Sequence, residues 1–273
     1  MTRRCLPVGK TLLYVFMSLW ALTTIYPFIW VILNSFKPRG LIRSDTFSLP
    51  IGDKFTLENY VTAFKRVDIG TAYVNSIVIS GAVTVVVMVL AGLAAYAMVR
   101  YSFRLRGFLH SMIIASMMFP VFSTIIPVFR MESSWGIVNT GSIWLTRLSV
   151  VLPQIAGNLS FAIIVLMGFI RSLPVDLEEA AYLEGYNVYQ IFFRIIMPLA
   201  KPSFATVGIF TFLWSYNDLF LQMFFLRSKK FFTITRLLNE ISSQAGTNYG
   251  LMAAAVVMVV IPVLVVYIFL QNY

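Results

Sequence analysis

Six long apolar runs, separated by polar segments, set the pattern of the chain. They cover residues 11–33, 71–99, 108–129, 146–170, 204–226 and 249–270. Each can cross a hydrocarbon core, which needs roughly 20 residues at a rise of about 1.5 Å per residue. The pattern predicts six transmembrane helices and an all-α integral membrane protein. The second run carries small residues, Gly92, Ala94, Ala95 and Ala97, suited to close helix packing. The third holds Pro120 and Pro127. Each frees a backbone carbonyl, so this span either lines a cavity or simply kinks. The fifth contains Asp218, within WSYND. An acid at membrane depth marks a functional or water-facing site, or else a break in the helix where the carboxylate is satisfied locally.

The polar segments differ in kind. Residues 34–70 are too polar for lipid, and LENYVTAFKRV at 57–67 reads as a short amphipathic helix. Residues 100–107, RYSFRLRG, form a very short basic loop. Residues 171–203, RSLPVDLEEAAYLEGYNVYQIFFRIIMPLAKPS, hold the only close acidic cluster: Asp176, Glu178, Glu179 and Glu184. Asp176 can cap a helix, and Glu179 three residues on has the capping-box spacing. Glu178 and Glu179 then fall in the first turn, where the helix dipole favours negative charge. Gly185 interrupts the helix. An apolar stretch with Ile191, Phe192, Phe193, Ile195 and Ile196 follows, closed by Pro198 and Pro202. A plain connector needs none of this order, and the segment reads as a docking surface built from two short helices.

Composition narrows the class. Of 273 residues, 59% are hydrophobic and 12% charged, with mean hydropathy +0.83. A soluble domain carries roughly 25% charged residues. The formal charge is +10, but the basic residues lie in loops and flanks. Lipid headgroups and topology account for them better than nucleic acid does. The single cysteine, Cys5, excludes a disulfide framework and a cysteine metal site. The single histidine, His110, sits at the edge of an apolar run and reads as interfacial. With six spans, both termini, the 100–107 loop and the 171–203 segment share one side. The basic residues divide almost evenly between the two sides, slightly against termini inside by count. Their density in the shortest loop favours termini inside, so charge leaves orientation open.

No nucleophile motif, zinc spacing or proton relay occurs, and GxxxxGK[ST] is missing, so the chain has no ATPase motif of its own. Any energy for active transport comes from a partner, and residues 171–203 are the place to receive it. EEAAYLEGYNVYQIFFRIIMPLAKP resembles the EAA motif of bacterial ABC-importer permeases. Glu179, Ala180, Ala181, Gly185, Ile195, Pro198 and Pro202 match it. Glu184 stands for the usual aspartate, Tyr186 for a small residue and Met197 for leucine. YVNS at 73–76, AAYAMVR at 94–100, FRLRG at 103–107, MFP at 118–120 and WSYND at 214–218 resemble the smaller permease subunit of carbohydrate importers of the maltose type.

The resemblance implies a type I ABC importer (MetI-like) permease fold. It implies a cytoplasmic N-terminus at 1–10 and a single transmembrane domain over 11–273, with both termini inside a bacterial cytoplasmic membrane. Within that domain it implies a cytoplasmic coupling loop at 171–203 and an external loop at 227–248. The implied partners are a second homologous permease, two cytoplasmic ATPase subunits, an extracytoplasmic solute-binding protein and membrane lipid. No cofactor belongs to this chain; ATP and Mg would sit in the ATPases. The coupling residues implied are Glu178, Glu179, Ala180, Ala181, Glu184, Gly185, Pro198 and Pro202. Asn158, Tyr216, Asn217 and Asp218 are the candidates for a substrate cavity, with Tyr216 as the stacking aromatic, unless the partner permease supplies most contacts. Asn239, Glu240, Ser242, Ser243, Gln244 and Asn248 are the candidates for a binding-protein contact, though an ordinary solvated loop would have the same content. The cargo implied is a sugar or oligosaccharide; a non-carbohydrate solute stays open, and nothing in the residues supports a secondary carrier or membrane enzyme. Family members commonly continue into a short cytoplasmic tail, whereas this sequence stops at Gln271, Asn272 and Tyr273.

Overall fold

The computed structural model describes residues 8–66, 68–246 and 248–270. Arg3, Arg4, Cys5 and the last three residues, Gln271 to Tyr273, lie outside the described residues, as does the side chain of Gln244. The fold is all-helical, with no strand among the described residues. Compactness divides it into two units. One takes in the described residues up to 66 together with 238–261, the other 68–237 together with the described residues from 262 on.

The first unit begins with α1, Val8–Ser35, which contains Pro27. Most of α1 is exposed and apolar, as suits a helix in hydrocarbon. Only its C-terminal end is tied down. Asn59, on the amphipathic helix α2 (Glu58–Arg66), is buried and donates to the carbonyls of Ser35 and Lys37, both at 2.8 Å. The Ser35 and Tyr60 hydroxyls lie 2.7 Å apart. Lys37 is fully buried, and its ammonium donates to the carbonyls of Asp45 (3.1 Å) and Thr46 (2.7 Å). Burial lowers its pKa. Gly250 packs against this cluster so closely that a Cβ would lie 2.7 Å from Asn59 Nδ2.

The second unit is built on three helices: α3 (Ile69–Arg100), α6 (Ile143–Ser172) and α9 (Lys201–Asn217). These three pack most extensively on one another. In lipid the hydrophobic effect does not drive helices together, so van der Waals packing at small residues carries the association. Ala91, Gly92 and Ala95 are the buried members of the α3 face, while Ala94 and Ala97 are only half-buried. Gly92 receives the rings of Phe192 and Phe204 directly.

The third apolar run does not form one helix. It divides into α4 (Arg106–Ser116) and α5 (Val121–Ser134), bent by 103°. Pro120, the N-cap of α5, permits the break. It lacks an N–H and biases Phe119 away from helical backbone. At about 1.5 Å per residue, neither piece alone spans a core of about 30 Å. The fifth run is also broken. α9 stops at Asn217, and α10, Leu219–Phe225, starts again after Asp218. The sixth run, α12, covers Tyr249–Leu270 as expected.

Candidate functional site

Residues 171–203 begin where α6 ends at Ser172, after which Leu173 is extended. α7, Asp176–Leu183, follows Pro174. Its N-cap is Val175, so the expected Asp176 capping box is absent: Asp176 lies inside the first turn with Glu178 and Glu179 and acts through the dipole. Gly185, at φ +87°, ends the helix. Its N–H donates to Tyr182 O and that of Tyr186 to Ala181 O, both at 3.0 Å, the Schellman pattern that glycine permits. The capping box occurs eleven residues further on from Asp176, at Asn187 and Gln190, and starts the next helix, Val188–Leu199 (α8). Ile191, Phe192 and Ile196 bury the inner face of α8. α8 and α9 meet at 81°, with the exposed Pro198 and Pro202 at the corner.

The acidic cluster separates by face. Glu178 is 4% exposed. Its Oε1 accepts from Arg100 Nε at 2.5 Å and its Oε2 from the Tyr96 hydroxyl at 2.7 Å. Glu178 therefore faces the chain itself, not a docking surface. Ala181 is likewise buried, so only Ala180 of the alanine pair is presented. Glu179, Ala180 and Glu184 are exposed, and Leu183 is 91% exposed at the tip. Leu183 lies outside the coupling residues expected from the motif. An apolar residue in the last turn before a helix-ending glycine was its available signal. Tyr186, the bulky departure, has the Arg194 guanidinium 5.8 Å above its ring. The Tyr101 and Tyr182 hydroxyls are 3.0 Å apart, and this contact raises the Tyr101 pKa.

A second site forms at the break after α9. An open cleft of about 460 Å³ is lined by Gln154, Asn158, Trp214, Asn217, Asp218 and Phe220, among others. Three of the expected cavity residues meet here. Tyr216 does not: its side chain is fully buried and stacks on Phe212, with centroids 5.8 Å apart. Helical spacing turns Tyr216 away and brings Trp214 round, in edge contact with Phe161 at 4.8 Å. Asp218 accepts from the Leu221 N–H at 3.1 Å, capping α10, and from Gln154 Nε2 at 3.1 Å. Ser215 donates to Gln154 Oε1 (2.6 Å), and its hydroxyl lies 3.2 Å from that of Ser80. Gln222 donates to Ser215 O, and Thr233 to Gln222 Oε1. The intramembrane acid is thus satisfied locally, which selects the helix-break reading for its carboxylate.

Asp218→Asn keeps an oxygen for the Leu221 N–H but sets its NH2 against Gln154 Nε2, so in detergent it is expected to unfold between the wild-type temperature and that of Asp218→Ala. Asp218→Ala loses a cap worth about 1 kcal/mol and strands the buried Gln154 amide at about 1–3 kcal/mol. Equal damage from both changes would show that the cap contributes nothing and that the charged contact to Gln154 carries the effect.

The family profile described as binding-protein-dependent transport system inner membrane component matches residues 87–273, which include both sites. The chain belongs to this family. The diacetylchitobiose uptake system permease protein of Streptomyces coelicolor is 35% identical over 256 residues, 93% of this chain and 82% of that one. The trehalose transport system permease protein of Mycobacterium tuberculosis is 31% identical over 248 residues, 90% and 87% of the two chains. The arabinooligosaccharides transport system permease protein of Halalkalibacterium halodurans is 29% identical and covers 100% and 96%. In fold, the chain matches a bacterial ABC transporter involved in the import of the acidic polysaccharide alginate. The TM-score is 0.81 at 24% identity, over 100% of this chain and 99% of that one.

Other motifs of this inner-membrane component act as fasteners. Asn75 of YVNS donates to the carbonyls of Lys230 (3.3 Å) and Phe232 (3.1 Å) and accepts from Arg147 Nη2 (2.9 Å). Ser76 accepts from the Ile234 N–H at 2.8 Å. The expected external loop at 227–248 is mostly helix: α11, Ile234–Ala245, buries Ile234, Leu237, Ile241 and Ala245 along one face. Asn239, Glu240 and Ser242 are half-buried on it, and Ser243 is exposed. Asn248 caps α12, accepting from the Leu251 N–H at 3.2 Å.

Proposed function

We propose that this chain is one permease subunit of an ABC importer for a sugar or oligosaccharide. It pairs with a second homologous permease, receives solute from an extracytoplasmic binding protein, and is driven by two cytoplasmic ATPase subunits. The observation that carries the reading is α7. It is a short knob whose inner face is anchored by Glu178 and Ala181 and whose outer face presents Glu179, Ala180, Leu183 and Glu184. Such a knob fits a cleft on a moving partner, and rigid-body movement of it gives alternating access. The sugar assignment rests on relatives that are named for three different carbohydrates. The cleft suits such a cargo: Asn158 and Asn217 offer polar groups beside Trp214.

Both termini and residues 171–203 lie in the cytoplasm in this reading. The support is that Arg100 and Tyr101, which open the short basic loop, contact Glu178 and Tyr182, so that loop and the coupling segment share one end of α3.

Purification of the tagged chain from its native membrane, with mass spectrometry of what accompanies it, tests the assembly. A second permease and an ATPase subunit should co-purify. An ATP-dependent uptake panel of sugars, peptides and polyol phosphates tests the cargo. Uptake confined to a non-carbohydrate would overturn the sugar assignment and leave the importer standing.

A further inference from the structure

The importer reading leaves Glu178 without a role at the ATPase surface, because its carboxylate points inward. We propose that Tyr96, Arg100 and Glu178 form a joint that transmits movement of α7 to α3, and that Glu178 acts as a positioning residue. This rests on the proposed function, in which α7 is the element the ATPase moves.

The backbone is poorly placed to do this. α7 is separated from α6 by the extended Leu173 and from α8 by Gly185 at φ +87°. A turn of α7 would dissipate in those two hinges. The side chains bridge them. Arg100 Nε holds Glu178, while Arg100 Nη2 donates to the carbonyl of Leu173 at 3.0 Å, so one guanidinium grips both the helix and its hinge. Tyr96, one turn back on α3, holds the other oxygen of the same carboxylate. Its ring also lies 5.6 Å from that of Phe192 on α8. The ion pair is buried, with side chains 10% and 5% exposed, whereas the Lys54–Asp45 pair is exposed. A buried fork with both carboxylate oxygens engaged resists shear in a way that a solvated pair does not.

What the joint holds is a lever. α3 runs 32 residues without a break from Ile69 to Arg100, about 48 Å at helical rise. Ser80, far along it, is bonded to Ser215 in the network behind the cleft. At the distal end Asn75 and Ser76 are fastened to residues 230–234. Movement imposed at Glu178 is thereby delivered beside Gln154 and Asp218, where solute would pass.

The test uses the whole importer, with its ATPases and binding protein, in proteoliposomes, and reads ATP hydrolysed per solute imported. Glu178→Gln leaves Arg100 without a counter-charge. It should retain the ATPase on co-purification and raise the ratio roughly tenfold, a coupling loss within the usual range for linked sites. Tyr96→Phe removes one hydroxyl and keeps the ring against Phe192, so it folds even where Glu178→Gln does not. It should raise the ratio about threefold, as loss of one buried hydrogen bond predicts. An unchanged ratio in Tyr96→Phe overturns the joint. So does loss of the ATPase from Glu178→Gln complexes, since that is the signature of a surface contact. A wild-type preparation with no ATP-dependent uptake would instead overturn the importer reading on which the joint rests.

Discussion

Glu179→Arg is expected to leave the protein in the membrane at wild-type level and to reduce uptake by roughly 100-fold, with any remaining ATP hydrolysis no longer stimulated by loaded binding protein; that loss sits near the upper end of coupling between linked sites. Glu179 is exposed in the first turn of α7 and makes no contact that the fold depends on. Reversing its charge costs about 0.3–1 kcal/mol against the helix dipole, too little to unfold the loop. At a docked surface the same reversal removes a carboxylate able to pair with a basic residue and sets two cations together. Leu183→Asp should act similarly by placing a charge where an apolar tip is presented. The contrast with Glu178 is the sharp part. Glu178 is one residue away, about 100° round the helix, and its Gln variant should lose coupling while keeping the ATPase bound. Wild-type uptake by Glu179→Arg would sink the docking assignment for α7.

Gly92→Leu should be the most damaging change to the fold itself. An ideal Cβ at Gly92 lies 2.8 Å from Phe204 Cζ and 3.0 Å from Phe192 Cζ. Both rings are buried, so neither can swing into open space. Overpacking of this kind costs about 1–3 kcal/mol per site, and more where the obstacle is a locked ring. Here it also pushes α3 away from α9 and α8 together, next to the joint at Tyr96. Little folded protein should be recovered from the membrane, and what is recovered should unfold at a lower temperature in detergent. Gly81, on the same helix, has nothing within 4 Å of its Cβ position. Gly81→Ala should be neutral or stabilising by about 0.5–1 kcal/mol from helix propensity. Equal damage at both glycines would mean that α3 tolerates no added side chain, and that the Phe192–Phe204 contact is not the reason.

Much of this was legible in the chain because lipid and water sort residues strongly. Uninterrupted apolar runs at 11–33, 71–99 and 146–170 correspond to α1, α3 and α6, each extended by a few residues at both ends. Pro120 was visible as a disturbance, but proline chemistry alone does not distinguish a gentle kink from a 103° turn. The position of the next helix decides that. The place of the capping box is ambiguous in the chain for a similar reason. Asp176 and Asn187 both head plausible boxes, but Val175 already has helical backbone and is the N-cap of the first helix, which leaves Asp176 inside it.

At the two sites, the sequence by itself determined which stretches matter. The acidic cluster in a basic, apolar chain and the lone acid in WSYND needed no neighbours to stand out, because charge near hydrocarbon is costly wherever it occurs. Only the tertiary structure decided what each residue faces. Glu178 and Glu179 are the same amino acid in the same turn, and the place of Arg100 and Tyr96, some eighty residues earlier, makes one a joint and leaves the other exposed. Tyr216 and Trp214 are both aromatic and two residues apart, and the packing of Phe212 and Phe161 sends one into the core and the other to the cleft. The physical reason is common to both pairs. Composition and spacing set the transfer cost of a side chain, whereas its direction depends on the helix that packs beside it, and those partners are distant in the chain.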